Sequence, residues 1–381
     1  MLLLQKFIND NANWEELLAQ EPYNLTIRKK PAKKQGEYVL FKYNQFTSNF
    51  DEPIVQEARG IIFRIIDHKS VLPVCVPFFK FFNFGEKNAA KLKGKITFLE
   101  KRDGSLCKLF FDEGQWHWAT NGTIDAYEAL MEDFFETEPG FSFGKLIEQA
   151  KEYYYIQEMI QRSMLDTRLT YMFELTSHKA KLVVPYEGTR LTFLSARDNI
   201  TLLEQDYDFG EYNGKILRPK VYEINDLSAA KNVVEHFDYK HEGLVAVDQD
   251  YNRVKIKSPA YLAVSYLRVN GEVTRKRIID IILMGEDKEF LSYYPQYTKY
   301  FEEILEEIGN YKDMIHNVIK DMCVNPLYNS RDIYEKYNKQ EREIAFEWFY
   351  GRIIKTWLYT FSAEQLDEKL QGMKESTKEE N

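Results

Sequence analysis

Between residues 38 and 260 the apolar residues come in runs too short for helices, and that decides the fold class. The runs are "YVLFKY" (38–43), "RGIIFRII" (59–66), "CKLFF" (107–111), "QWHWAT" (115–120), "TYMFEL" (170–175), "LTFLSAR" (191–197), "GLVAVD" (243–248) and "RVKIKS" (253–258). They are rich in Val, Ile, Phe and Tyr and are punctuated by turns, which marks strands. Helical stretches are expected at 125–136, 142–164 and 228–237. No regular crossover helix separates the strands, so a doubly wound parallel sheet is not expected. An α+β domain built on antiparallel sheets with flanking helices is.

After Pro259 the period changes. Residues 261–269, 275–285, 297–322 and 340–361 carry apolar side chains at helical spacing with almost no strand signal. The expected division is therefore a domain over 1–262 and an all-helical C-terminal domain over 263–381, with a frayed polar end at "KESTKEEN". Hydrophobic content of 44% and aromatic content of 15% supply a sizeable core and exclude a disordered or collagen-like chain. No run of about 18 apolar residues suggests a membrane span, and the N-terminus lacks the basic start and cleavage site of a signal peptide. Cys75, Cys107 and Cys323 are far apart, which argues against a disulfide framework or a zinc site and suits a reducing cytoplasm. The net charge is −9, yet basic clusters occur at 28–34 ("RKKPAKK") and 275–277 ("RKR"). Charge acts locally, so an acidic protein can still carry a basic groove.

"EKRDGSLCKLFF" (100–111) sets Lys101 two residues before an Asp-Gly pair, at the lip of an apolar strand. At its reference pKa of about 10.4 a lysine is an ammonium and no nucleophile. Nearby cations or desolvation lower that value and free the lone pair. Three units take roughly 4 kcal/mol, so a nucleophilic lysine needs other cations close by. Lys255 and Lys257 stand two apart on a strand and project from one face; alone, that pair reads as the polar face of an edge strand. Glu174 interrupts an aromatic strand and Glu242 opens another. Carboxylates beside apolar runs are costly unless paired or metal-bound, although each alone also reads as a solvated strand-end charge. Glu174 suits a ribose hydroxyl, and Glu242 a divalent cation. Arg59 and Lys80 stand at strand borders among aromatics, placed either to bind phosphates or to lay their stems over apolar surface.

Singly these signals are weak, but the ordered set resembles the covalent nucleotidyltransferases, the superfamily of ligases and capping enzymes. "KRDGSL" is similar to their nucleophile motif, "FEL" to the third, "EGLVAV" to the fourth and "KIK" to the fifth, in matching order and spacing. Within that superfamily the chain resembles the RNA ligase 1 family of bacteriophages, the tRNA-repair type, through "RGIIF", "KFFN" and the tyrosine of "FKYNQF". The resemblance covers about 38–265; the tail agrees only in being helical.

The resemblance implies that Lys101 takes AMP from ATP as a phosphoramide and releases pyrophosphate. It implies that Arg59 and Lys80 bind the triphosphate, Glu174 holds the ribose, Lys255 and Lys257 contact the α-phosphate, and Tyr43 lines the nucleotide site. Glu242 would assist a magnesium ion (manganese as the alternative) and the later steps, and Tyr261 in "SPAY" matches a tyrosine just after the fifth motif. Three departures stand out. The family's basic residue before a glycine is here Asn121 in "TNGTI", which brings no charge; the adenine-stacking aromatic falls at Leu194, with Phe193 beside it; and an acidic pair opening the helical domain has only a loose match in Glu286 and Asp287, a second candidate metal site. The implied activity is ATP-dependent RNA ligation, joining 5′-phosphate to 3′-hydroxyl ends, with a cleaved tRNA anticodon loop as one candidate substrate. The location implied is the cytoplasm, of the host cell if the protein is viral. The alternatives are an RNA-end-binding protein on an inactive ligase fold, and a GTP-using capping-type enzyme. The second alternative normally needs a C-terminal β domain, where this chain reads helical.

Overall fold

Strand Glu37–Tyr43 shows how the short runs are used. In the computed structural model Val39, Phe41 and Tyr43 join one apolar cluster while Tyr38 and Leu40 join another. Alternate side chains leave a strand on opposite faces, and here both faces are covered. The structure describes residues 1–131, 140–266 and 274–324, except 46, 68–69, 181–182, 284–286 and 294; beyond 324 it describes 333, 335–338, 341–342, 344–345 and 371.

The strands are β1 (Leu25–Pro31), β2 (Glu37–Tyr43), β3 (Arg59–Asp67), β4 (Ser70–Cys75), β5 (Phe82–Asn83), β6 (Ile96–Lys101) and β7 (Ser105–Asp112). They continue with β8 (Gln115–Thr120), β9 (Leu169–Ser177), β10 (Thr189–Asp198), β11 (Glu204–Gln205), β12 (Val221–Tyr222), β13 (Gly243–Asp248) and β14 (Arg253–Lys257). The helices are α1 (Leu3–Asp10), α2 (Trp14–Ala19), α3 (Pro53–Glu57), α4 (Phe143–Glu148), α5 (Lys151–Gln161), α6 (Leu227–Glu235), α7 (Pro259–Tyr266), α8 (Arg275–Leu283), α9 (Asp287–Tyr293) and α10 (Thr298–Val324).

Three sheets result, in the orders β1-β2-β3-β4, β11-β10-β9-β7-β8 and β12-β6-β13-β14-β5. Named pairings are antiparallel except β14 with β5. The expected α+β class with antiparallel sheets is what the chain adopts. The first sheet buries Val39, Phe41 and Phe63 against Leu4, Ile8, Trp14 and Leu18 of α1 and α2. Its other face, through Leu40 and Ile62, meets Phe110 and Ala119 of the second sheet. The far side of the second sheet packs Leu109, Tyr171 and Phe173 on Leu146, Ile147, Ile156 and Met159 of α4 and α5. The third sheet carries α6, whose Ala230 and Val234 sit on Phe98, Leu244 and Ala246.

Several expectations change. Over 125–131, the described part of the helix expected over 125–136, a 3-10 turn, Ala126–Glu128, forms instead, because Asp125 accepts from the Tyr127 amide and Leu130 then bridges to Ser142; residues 132–139 lie outside the described set. The helix expected over 142–164 breaks at Ala150, which is extended. A new helix starts where buried Glu152 accepts from Arg190 Nε and the Leu191 amide of β10, at 2.7 and 3.0 Å. "RKKP" is part of β1, an edge strand. Lys29 pairs with Glu15 and Glu37, and Lys30 with Asp125 and Glu128. Lysines and a proline are the ordinary protection of such an edge.

Contacts divide the chain into two units, Met1–Ser265 and Tyr266–Asn381. Within the second, α10 buries Phe301, Ile304, Ile308, Tyr311, Ile315, Val318 and Met322, a stripe at alternating spacings of three and four. Ile278, Ile279, Ile281 and Ile282 of α8 are buried as well. Among the described residues no helix is long and apolar enough to cross a membrane.

Candidate active site

Lys101 is the last residue of β6, and the chain then turns through Arg102, Asp103 and Gly104 into β7. That turn is pinned by Asp103. Its Oδ2 accepts from the amides of Val183 and Val184, both at 2.8 Å, and its Oδ1 accepts from Tyr261 Oη at 2.8 Å. The Asp103 amide donates to Tyr186 Oη at 3.0 Å, and the Arg102 guanidinium lies 4.6 Å over the Tyr186 ring. Gly104 passes so near the Leu175 carbonyl that a Cβ would collide with it. The Asp-Gly pair therefore works by a buried carboxylate and a close backbone approach, and it fixes Lys101 at the rim of a cleft of about 440 Å³.

The cleft takes residues from all three sheets. Arg59 comes from β3, Lys101 from β6, Leu106 from β7, Glu174 from β9 and Leu194 from β10, with Asn121 from the turn after β8. Strand parity explains the second sheet's share. Tyr171, Phe173 and Leu175 point into the helix-facing core, which leaves Met172 and Glu174 on the other side. A bulge between Phe193 and Ser195 turns Leu194 to the cleft. Phe193 instead packs on Phe173 and Phe209, so of that pair it is Leu194 that lines the cleft.

Lys101 Nζ is ion-paired with Glu242 Oε1 at 2.7 Å, with the two side chains 20% and 6% exposed. Lys101, Gly243 and Lys257 form one cross-strand row of the third sheet, and Glu242 immediately precedes Gly243. Burial pushes the Glu242 carboxyl up, and the charges of Lys101 and Lys257 oppose that shift. Glu174 is pushed up to about 7, chiefly by burial, with Lys101 and Arg59 opposing and Glu242 adding to it. Neither glutamate is a solvated strand-end charge. Burial also disfavours the Arg59 charge, which Tyr43 and Glu174 support. The Arg59 guanidinium lies 4.6 Å over Phe78 and 5.0 Å over Phe81.

The remaining sequence candidates take other places. Tyr43 is buried behind Arg59 and hydrogen-bonded to it. Lys80 Nζ lies 4.2 Å over Phe50 and donates to Gln45 Oε1 at 3.0 Å; it is not among the cleft-lining residues. β14 runs between β13 and β5, so Lys255 and Lys257 are not on an edge strand. Lys255 Nζ is 5.9 Å from the Phe81 ring, and Lys257 acts on Glu242. Tyr261 is joined to the site through its hydrogen bond to Asp103. Glu286 lies outside the described residues, and Asp287 opens α9 in the second unit. No group of three or more acidic, histidine or cysteine ligands occurs among the described residues.

Sequence reading passed over Lys42 and Lys108. Lys108 is fully buried on β7, and its ammonium donates to the Gly60 carbonyl. The signal was a lysine inside the apolar run "CKLFF". Lys42 gave none, since it reads as an ordinary outward residue of β2.

Comparison with known proteins bears on this geometry. The family model described as "RNA ligase" matches residues 57–261. The RNA ligase of Rhodothermus phage RM378 is 25% identical over 317 residues, covering 68% of this chain and 70% of its own. A candidate bifunctional polynucleotide kinase/RNA ligase of Autographa californica nuclear polyhedrosis virus is 29% identical over 277 residues, 68% of this chain. The match spans only 38% of that viral protein's length. Among solved structures, an archaeal ATP-dependent RNA ligase shares 12% identity, covering 94% of this chain and 81% of that one, with a TM-score of 0.42. With the family model matching more than half of its length, this chain belongs to the RNA ligase family.

Proposed function

We propose that the protein is an ATP-dependent RNA ligase that joins a 5′-phosphate to a 3′-hydroxyl through a lysyl-AMP intermediate on Lys101. The observation that carries this reading is Lys101 itself. A lysine ion-paired to a buried glutamate stands at the rim of a cleft shared with Arg59 and Glu174, inside the family match. In the first step the Lys101 amine attacks the α-phosphorus of ATP, the P–O bond to the β-phosphate breaks, and pyrophosphate leaves. The ammonium must lose its proton first, and Glu242 Oε1 at 2.7 Å is the acceptor in contact with it. Charge on the phosphoryl oxygens is then met by fixed cations, which is where catalysis of such transfers resides. Besides Lys101 itself, Arg59 is the cation that acts on Glu174 and Lys257 the one that acts on Glu242. AMP next passes to the RNA 5′-phosphate, and the 3′-hydroxyl displaces it.

A magnesium or manganese ion fits this site. Such ions take one or two carboxylates and complete their shell with phosphate oxygens; Glu242 is buried and Glu174 half-buried in the cleft wall, and desolvation pushes both carboxyls toward the neutral form. When bound, the ion would neutralise phosphate charge there. In this reading residues 1–262 form the adenylyltransferase domain and 263–381 an all-helical domain that acts on the RNA, with broken RNA such as a cleaved tRNA anticodon loop as the class of substrate. The setting is a reducing cytoplasm, of the host if the protein is viral.

The test uses an RNA strand bearing a 5′-phosphate and a 3′-hydroxyl, incubated with ATP and Mg²⁺. A circular or joined product that Lys101→Ala fails to make is the expected result. RNA bound but never joined would instead identify an end-binding protein, and activity with GTP alone would identify a capping-type enzyme.

A further inference from the structure

Four cations gather where the first and second sheets meet, beside the turn that brings Asn121 and Gly122 into the cleft. Lys42 of β2 stands opposite Arg59 of β3, at a register shift made by Gly60, whose φ is +73°. The extra residue places Arg59 rather than Gly60 across from Lys42, so the two basic side chains leave the same face. Arg28 of β1 acts on Lys42 electrostatically, and Lys42 and Arg59 both act on Lys108. Burial disfavours both charges, and the one charge acting on Lys42 among the described residues is another cation, Arg28.

The turn lies directly against these cations. A methyl group placed on Gly122 would lie in open space but for one atom, Lys42 Nζ at 3.7 Å. A methyl group placed on Gly60 would meet Lys108 Nζ and Asn121 Oδ1, each at 2.8 Å. So the turn, the buried ammonium and the Arg59 strand form one packed unit. Arg59 Nη1 is buried without a hydrogen-bond partner, in the cleft wall. A buried guanidinium nitrogen without a hydrogen-bond partner, beside the Lys42 ammonium, costs free energy unless a charged acceptor arrives.

We infer that Lys42, with Arg59, forms a phosphate subsite at the Asn121–Gly122 turn that takes the pyrophosphate end of ATP, with Lys108 positioning the turn from beneath. The inference rests on the ligase reading for the identity of the nucleotide. It also accounts for the missing charge at position 121: the cation comes across Gly122 from the neighbouring sheet, not from the turn.

The experiment compares the unaltered protein with Lys42→Gln, Lys42→Arg and the pair Lys42→Gln with Asn121→Lys. Lys42 is half-buried at the sheet end, and thermal unfolding confirms that each variant is folded. Calorimetric titration with magnesium pyrophosphate is read first, because it needs no turnover. Lys42→Gln is expected to weaken pyrophosphate about tenfold, the effect of losing about 1.4 kcal/mol of contact, and to raise KM for ATP more than it lowers kcat. Lys42→Arg and the Asn121→Lys pair should each recover most of that loss. Unchanged pyrophosphate affinity in Lys42→Gln overturns the inference. So does unchanged pyrophosphate affinity together with a tenfold loss in sealing pre-adenylated RNA, which would give the turn to an RNA phosphate. If the unaltered protein forms no lysyl-AMP, the ligase reading fails separately, while the calorimetry still decides the subsite.

Discussion

Glu174 is the residue whose surroundings conflict most with its charge. Burial holds its carboxyl near pH 7 against an ordinary 4.5. A carboxyl raised on folding favours the native state below its unfolded pKa, and that advantage is lost as pH rises through the folded value. Ionised Glu174 therefore costs the nucleotide-free protein on the order of 3 kcal/mol above pH 7, a cost that a bound cation would remove. Glu174→Gln should raise the unfolding temperature at pH 8.5 by several degrees, and the gain should shrink toward pH 5. A thermal scan at both pH values checks this; a gain independent of pH would mean that the carboxyl is not the strained group. Asp103 offers a second test at this scale. Tyr261→Phe removes the phenol hydroxyl that donates to its carboxylate beside the Val183 and Val184 amides and should cost about 1 kcal/mol, with slower lysine adenylation measured beside it.

Elements were legible wherever a strand is made of aromatic and β-branched residues. All eight runs picked out between 38 and 258 are strands. Elements that owe their conformation to partners were not legible. "RKKP" is extended because β2 and four acidic side chains hold it, and the helix over 142–164 breaks because Glu152 docks on β10. The site divides in the same way. Of the residues singled out from motif order, Lys101, Glu174 and Arg59 line one cleft and Glu242 is ion-paired with Lys101. The roles of Asp103 and Lys42 depend on chain segments 80 residues away, which spacing cannot show. The β6–β7 turn gives the prediction at this scale. Gly104→Ala drives a methyl group into the Leu175 carbonyl, so it should lower lysyl-AMP formation at least about tenfold, by shifting a turn that a misplacement of about 1 Å would disable. Undiminished labelling of that variant would show that the close approach is incidental.

At the scale of the molecule, every residue lining the cleft belongs to the unit Met1–Ser265. Adenylation of Lys101 should therefore survive in a chain ending at residue 265, and sealing of RNA should fall. Equal sealing by the shortened chain would remove the helical unit from the reaction. The central claim is that Lys101 becomes covalently nucleotidylated, and the most direct measurement is incubation with α-labelled ATP and Mg²⁺, followed by denaturing electrophoresis and peptide mass mapping. Label on the peptide that contains Lys101, absent from Lys101→Ala, is the result predicted. Label on another residue, or none on protein whose intact mass shows Lys101 unmodified beforehand, would contradict the account.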